Sequence, residues 1–510
     1  MKTKIHSLLY NLFGKRQQSS VQDEYFIKHN KGTAFSQDKI TRYSKNRKSI
    51  RTDRTTLTIL GNSSVIGLNK KSIGYYNLGN HNYNIGNFDV AIDCYSRSIK
   101  IDNSYANAYF NRGVAFNDLE QFDMAIKDYS KAIEIDPNLF EAYHNRGTVF
   151  DKLGKSDNAI ADLSQAIFLE PKMWQSYNNR SLISHRLSDF DKAISDYSKV
   201  LEFNPTFAKA FFNRGLAYYS IGQCEKAIID YSRAIEIDPH YINAYHNRGA
   251  AYQYLGQYDE AIADYSLVIE NDPSHSQSYY NRGIVYGFVG EIEMAIEDYS
   301  RVIEINPNYA DAYYNRAIEY GSIGHNENSI ADNTKVIEID PNYAEAYFNR
   351  GNAYARTGRF EEAIADYARV MDIDPSYPVY QNFGNTYVKL EDYEKAIECY
   401  SKMIQLDPNH TDAYFNRGGV FFTLEDYQKA ICDYARIIEI DPNHRVYQNW
   451  GNVCVYLQNY EEAIEKYSKM IEIDPNQCDA YHNRSIAYDE LGQSEKAESD
   501  RIKARELEYK

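Results

Sequence analysis

Ala106–Leu139 reads ANAYFNRGVAFNDLEQFDMAIKDYSKAIEIDPNL, and this 34-residue pattern recurs along the chain. Tyr109, Asn111, Gly113 and Phe116 are followed by Ala125, Tyr129, Ala132 and Pro137, so two apolar stripes of helical period lie in one segment. Copies of 33 or 34 residues open at Ser72, Ala106, Phe140, Trp174, Ala208, Ile242, Ser276, Ala310, Ala344, Tyr377, Thr411, His444 and Cys478. In most of them a central glycine such as Gly154, Gly222 or Gly256 separates the two stripes, and a proline near the end stops the second. Each copy is therefore a helical hairpin. Hairpins at a fixed period predict an all-α solenoid, in which every unit packs on its neighbours and length is not limited by a single core.

The aromatic, small and proline residues at these offsets resemble the tetratricopeptide repeat family, whose period is 34. The resemblance spans residues 72–510, about thirteen tandem repeats. It implies a right-handed superhelical solenoid of helix-turn-helix hairpins, with the first helices lining a concave face. The 49 tyrosines fit this scheme as packing residues: the fourth position is tyrosine in twelve copies, from Tyr75 to Tyr481, with Phe211 the exception, and Tyr129, Tyr218 and Tyr252 add to the core.

Numbering each copy from its first residue, a helical wheel puts positions 4, 8 and 11 of the first helix toward the core and 2, 5, 6, 9, 12 and 13 on the opposite face. Position 6 is asparagine in all thirteen copies: Asn77, Asn111, Asn145, Asn179, Asn213, Asn247, Asn281, Asn315, Asn349, Asn382, Asn416, Asn449 and Asn483. An amide both donates and accepts, so a regular row can hold the backbone of an extended peptide. The row resembles the asparagine ladder in the repeat domain of O-linked N-acetylglucosamine transferases, which implies a grip on extended polypeptide. The other use open to such an amide is to cap or bridge the neighbouring helix, duplication having copied it.

Position 7 is arginine in ten copies, Arg112, Arg146, Arg180, Arg214, Arg248, Arg282, Arg316, Arg350, Arg417 and Arg484. Sixteen residues later the same copies carry Asp128, Asp162, Asp196, Asp230, Asp264, Asp298, Asp332, Asp366, Asp433 and Asp500. The three other copies have Leu78, Phe383 and Trp450, with Cys94, Cys399 and Lys466 opposite. A guanidinium facing the core needs a partner, so each such hairpin is expected to be joined by a bidentate, screened Arg–Asp pair. Its role is architectural, not catalytic.

Around the ladder, Leu182, Phe212, Leu216, Tyr219, Tyr254, Tyr280, Ile284, Phe288, Tyr314, Ile318 and Phe348 form an apolar run on the presumed inner positions. It suits an amphipathic helix or an apolar extended segment as partner; the same side chains are also placed to close contacts between adjacent first helices. Tetratricopeptide domains that clamp acidic chaperone tails carry basic residues at position 5, and no copy here does, although Asn80, Asn352, Asn385 and Asn452 fill position 9.

No enzymatic signature emerges. Gly147 and Gly154-Lys155-Ser156 have the wrong spacing for a phosphate loop and cross a hairpin. Cys94, Cys224, Cys399, Cys432, Cys454 and Cys478 form no CxxC and read as reduced cytosolic thiols. His144, His246 and His482 share the fifth position, expected on the binding face, but stand too far apart for a metal. No cofactor is expected.

Residues 1–71 hold fifteen Lys and Arg against four Asp and Glu, a net +11, which leaves −27 for the repeats of a chain whose total is −16. An acidic solenoid repels nucleic acid and favours protein or peptide partners. The amino-terminal region reads as a flexible basic arm, and Leu8–Phe13 behind Lys2 and Lys4 is a short segment suited to touching a membrane. A cytoplasmic location is expected, and self-association is open to the repeats. Two functions are carried forward: a non-enzymatic scaffold or adaptor holding an extended or helical segment in the groove, and a regulatory or targeting protein whose arm docks on membrane or nucleic acid while the repeats assemble. The last copy ends in a polar helix around Arg501, which suits a closing cap, and no catalytic domain is expected after the repeats. Repeat 8, with Ala317, Glu319, Ser329 and Asn333 at otherwise conserved offsets of the array, is the expected bend or soft joint.

Overall fold

A computed structural model describes residues 66–508. Residues 1–65, including the Leu8–Phe13 segment and most of the basic arm, lie outside the described residues. The described chain is helical throughout: 26 helices pair into thirteen hairpins at the expected period. The first helix begins at Ile66, six residues before the Ser72 boundary, so the array starts inside the region read as arm. Two compact units divide at Val285 and Tyr286, within the first helix of repeat 7. Each is described by itself.

The hairpin turn is set by one residue. Position 15 adopts a left-handed backbone in every repeat, as Gly86, Gly154, Gly222, Gly256, Gly290, Gly324, Gly358 and Gly492, and also as Glu120, Ser188, Glu391, Glu425 and Gln458. Glycine enters this region without a Cβ penalty; the other five residues hold it at a cost. The second helix starts two residues later, as in Phe122–Ile135, and most end at an aspartate or asparagine, as here at Asp136 in extended backbone. There Asp136 Oδ1 accepts from Asn138 N at 3.0 Å, an Asx turn that leads into the next repeat.

Two close approaches join the helices of a hairpin. Position 20 is alanine in most copies, fully buried, as Ala91, Ala125 and Ala227 in the first unit and Ala363, Ala430 and Ala463 in the second. Position 8 is often glycine against the ring at position 24: a Cβ on Gly113 would stand 2.9 Å from the Tyr129 ring, and one on Gly418 would stand 2.6 Å from Tyr434. In repeat 8, Ala317 replaces the glycine and Asn333 replaces the tyrosine. The smaller partner admits the extra methyl, and Ser329 Oγ donates to the Ala317 carbonyl at 2.8 Å. The departures of repeat 8 are thus coupled in packing, and its two helices remain regular, Ala310–Ser322 and Asn326–Ile339.

Among the described residues no helix is long and apolar enough to cross a membrane, and no group of His, Cys, Asp and Glu is placed to hold a metal. All six cysteines are free, four of them buried, with Cys432 exposed and Cys478 half-buried.

Candidate functional site

The simple wheel needs correction at positions 5 and 6. A first helix packs on its own second helix and also on the preceding repeat, so more than one face is covered. Position 5 meets the residue just before the next repeat: Phe212 lies 4.9 Å from Tyr241, ring to ring, and 5.8 Å from Tyr231. Phe212 and Tyr280, read as groove residues, are each only 1% exposed and belong to the junction instead. His144 and His246, at the same position, are buried rather than on a binding face, with Nδ1 2.8 and 2.9 Å from Ser176 and Ser278 hydroxyls. Burial, with His275 alongside, pushes His246 down to about 3, so its ring is neutral. His482 is exposed.

The remaining apolar candidates divide. Leu182, Leu216, Tyr219, Ile284, Tyr314 and Phe348 are half-buried, several of them packed into junction clusters. Tyr254 at 49% in the first unit, and Phe288 at 57% and Ile318 at 38% in the second, present their side chains to solvent.

Position 6 is half-buried or buried in every copy but Asn77. Several of these amides reach the preceding repeat. Asn111 Nδ2 donates to Tyr76 Oη at 2.9 Å and Asn80 Oδ1 at 2.8 Å, Asn179 donates to Thr148, and Asn281 donates to Tyr265 Oη at 3.4 Å. In the second unit Asn382 donates to Asn352 Oδ1 at 2.7 Å and Asn483 to Asn452 Oδ1 at 3.1 Å. Asn247 turns to its own helix, donating to the Asn243 carbonyl at 2.7 Å. Asn213 Nδ2 is buried with no partner. Asn145 and Asn315 are buried; Asn349, Asn416 and Asn449 are half-buried.

Position 7 forms a three-point tie. In the first unit Arg112, Arg146, Arg180, Arg214 and Arg248 send Nε and Nη2 to Asp128, Asp162, Asp196, Asp230 and Asp264 at 2.7–2.8 Å. The second unit repeats this in Arg316–Asp332, Arg350–Asp366, Arg417–Asp433 and Arg484–Asp500, at 2.7–2.9 Å. Arg282 and Asp298 fall on opposite sides of the unit boundary. The third contact is to the preceding repeat: Arg112 Nη1 donates to Ser96 at 2.9 Å, Arg282 to Ser266 at 2.7 Å and Arg417 to Ser401 at 2.9 Å. Such a serine donates to its own helix, as Ser96 does to the Ile92 carbonyl at 2.7 Å, and keeps a lone pair for the guanidinium.

Rings at positions 4 and 11 flank the cation, as Tyr109 and Phe116 flank Arg112 at 5.6 and 5.9 Å. Burial raises Asp230, Asp264 and Asp366 above the ordinary aspartate value, while the facing guanidinium pulls each down. Desolvation is thus only partly offset, as expected of a pair that fixes geometry more than it stabilises.

The serine was the residue the sequence pattern held unnoticed. It becomes Ala368 and Ala435 just before repeats 10 and 12, the two later copies that also lack the arginine. The Ser, Arg and Asp positions change together across a repeat boundary.

Position 13 behaves differently from all of these. It is exposed in every repeat and varies freely: Asn84, Asp118, Lys152, Arg186, Ser220 and Tyr254 in the first unit; Phe288, Ser322, Arg356, Lys389, Thr423, Tyr456 and Glu490 in the second.

Sequence profiles described as tetratricopeptide repeat match residues 106–139, 129–161, 242–275, 276–309, 344–377 and 411–444, and one described as TPR repeat matches 79–119, 182–222, 215–256, 319–358, 384–425 and 451–492. Among solved structures, MamA is 26% identical over 33% of this chain and 93% of its own, with a TM-score of 0.32. YrrB, described as a TPR protein with an unusual peptide-binding site, is 26% identical over 36% of this chain and 95% of its own, TM-score 0.33. A tetratricopeptide repeat protein from Parabacteroides merdae is 21% identical over 49% of this chain and 99% of its own, TM-score 0.36. No curated protein matches the chain.

Proposed function

The chain belongs to the tetratricopeptide repeat family, and from that premise we propose that this protein-interaction scaffold holds an extended or helical polypeptide segment along the face its stacked first helices present in each unit. Repeats of this family bind protein or peptide and are generally not catalytic. The observation that carries the proposal is position 13, which stays exposed in every repeat while its residue changes. Some of these side chains also bond to the preceding repeat, as Lys152, Arg186 and Arg356 do, but an exposed position whose residue changes from repeat to repeat is suited to choosing a partner.

The ladder then divides its work. Where an amide donates to the preceding repeat, that donor is spent on spacing the hairpins. Asn213 instead keeps a buried donor with no partner, which costs about 1–3 kcal/mol.

Affinity capture with mass spectrometry tests the proposal by comparing the wild type with Asn213→Ala/Asn247→Ala/Asn281→Ala and with Tyr254→Ser/Phe288→Ser. Partners should be lost from the second protein, and from the first only where the amides grip. Survival of every partner in both proteins would place recognition elsewhere.

A further inference from the structure

Position 10 of the first helix is a core position. In the second unit it is Ala353, Thr386, Val420, Val453 and Ala487, all buried and uncharged. Repeat 8 alone puts a carboxylate there, Glu319. Its side chain lies over Gly287 of the preceding repeat, where an added Cβ would stand 2.6 Å from Glu319 Oε1. The bare glycine backbone is what makes room for the carboxyl group.

Among the described residues no cation pairs with it. Of the arginines on the next first helix, Arg350 is held by Asp366 and Thr334, and Arg356 directs Nη1 to the Gly321 carbonyl at 3.4 Å. Burial alone raises the Glu319 carboxyl to about 7, with no charged neighbour contributing. A half-buried anion without a counter-ion is costly in an array that already carries −27. In sequence Ile318 precedes Glu319 and Phe288 follows Gly287, and both of these apolar side chains are exposed.

We propose that Glu319 is the recognition point for a lysine or arginine side chain of a segment laid along the first helices of the second unit. The cation would meet the carboxylate, and its aliphatic stem would pack on Ile318 and Phe288, as long basic side chains do along apolar surface. The excess negative charge of the repeats draws such a segment in. This rests on the scaffold function proposed above and names the chemistry that one part of it selects.

Binding of acetyl-Leu-Lys-Leu-amide and of its Nε-acetyl-lysine counterpart to the full chain, followed by calorimetry at neutral pH, tests it. The lysine peptide should bind about tenfold more tightly, a difference of roughly 1.4 kcal/mol, and Glu319→Gln should abolish that preference while leaving the helical circular dichroism unchanged. Equal affinity of the two peptides, a preference that survives in Glu319→Gln, or no binding of the lysine peptide at millimolar concentration would each overturn the proposal. The asparagine variants lie in the other unit, so failure of the ladder and failure of this site are read separately.

Discussion

Repeat 11 enters its stack through an arginine, and repeat 12 enters through a tryptophan. Arg417 is held by both Asp433 oxygens and reaches back to Ser401, so three hydrogen bonds fix how repeat 11 sits on repeat 10. Trp450 packs instead among Tyr434, Ile437 and their neighbours, with Lys466 Nζ 4.4 Å from its ring and Ala435 where the serine would be. The first helix of repeat 12 is shorter, Tyr447–Tyr456 against Thr411–Thr423. Rings replace the lost polar contacts: Tyr456 lies 5.8 Å from Tyr427 and 5.2 Å from Phe422. Repeat 10 follows the same plan with Phe383 near Tyr367 at 5.9 Å, but Asn382 also donates to Asn352 across that junction. The contrast is between directional and non-directional joining. A bidentate guanidinium specifies orientation, whereas apolar burial is indifferent to it.

The largest effect should come from breaking one tie and leaving the rest. Asp433→Ala strands a half-buried guanidinium and should cost about 3–5 kcal/mol, read as faster amide exchange through Thr411–Thr423 and Tyr427–Ile440. Changing Ser401→Ala, Arg417→Trp and Asp433→Lys together copies the repeat 12 set and should cost less than the single change. Equal losses would mean that the charges do not act as a pair. In the other direction, Ala435→Ser, Trp450→Arg and Lys466→Asp should slow exchange in Tyr447–Tyr456, if the tie is what the looser junction lacks.

A second test asks whether an intact tie tolerates a polar core. Repeat 8 keeps its tie, Arg316 to Asp332 at 2.7 Å and to Ser300 at 2.8 Å, yet half-buries Glu319. With the folded carboxyl raised to about 7 against an ordinary 4.5, the native state holds the proton more tightly than the unfolded chain. The stabilisation is fully present below about pH 4.5 and is lost as pH rises through about 7, a change of about 3 kcal/mol at most. Urea midpoints near pH 5 and near pH 8, taken as wild type minus Glu319→Gln, should show that fall. A flat difference would show that the carboxyl reaches water freely.

The hairpins and the Arg–Asp partnership were legible because each lies within one period and changes together in three copies. The serine was equally legible in principle, since Ala368 and Ala435 mark the same repeats, but it belongs to the preceding copy and escapes a comparison made repeat by repeat. The wheel misplaced Phe212, Tyr280, His144 and His246 because a single hydrophobic direction assumes one packed face, and a solenoid helix has neighbours on two sides. Glu319 stood out as a departure; that its carboxyl rests on Gly287 required coordinates.

The smallest expected effect separates the turn from the tie. Glu425 in tied repeat 11 and Gln458 in untied repeat 12 both hold a left-handed backbone, with φ of 59° and 58°. Glycine at either site relieves a strain of about 1–2 kcal/mol and loses part of that gain to the greater freedom of the unfolded chain. A net stabilisation of about 0.5–1 kcal/mol is expected at both positions, measured as a shift in thermal midpoint. The turn is closed by bonds inside its own hairpin, Asp426 N to the Phe421 carbonyl at 2.9 Å and Asn459 N to the Cys454 carbonyl at 2.8 Å. The two gains should therefore agree. If Gln458→Gly gave clearly more than Glu425→Gly, the looser junction would be transmitting strain into its hairpin, and tie and turn would have to be treated as one device.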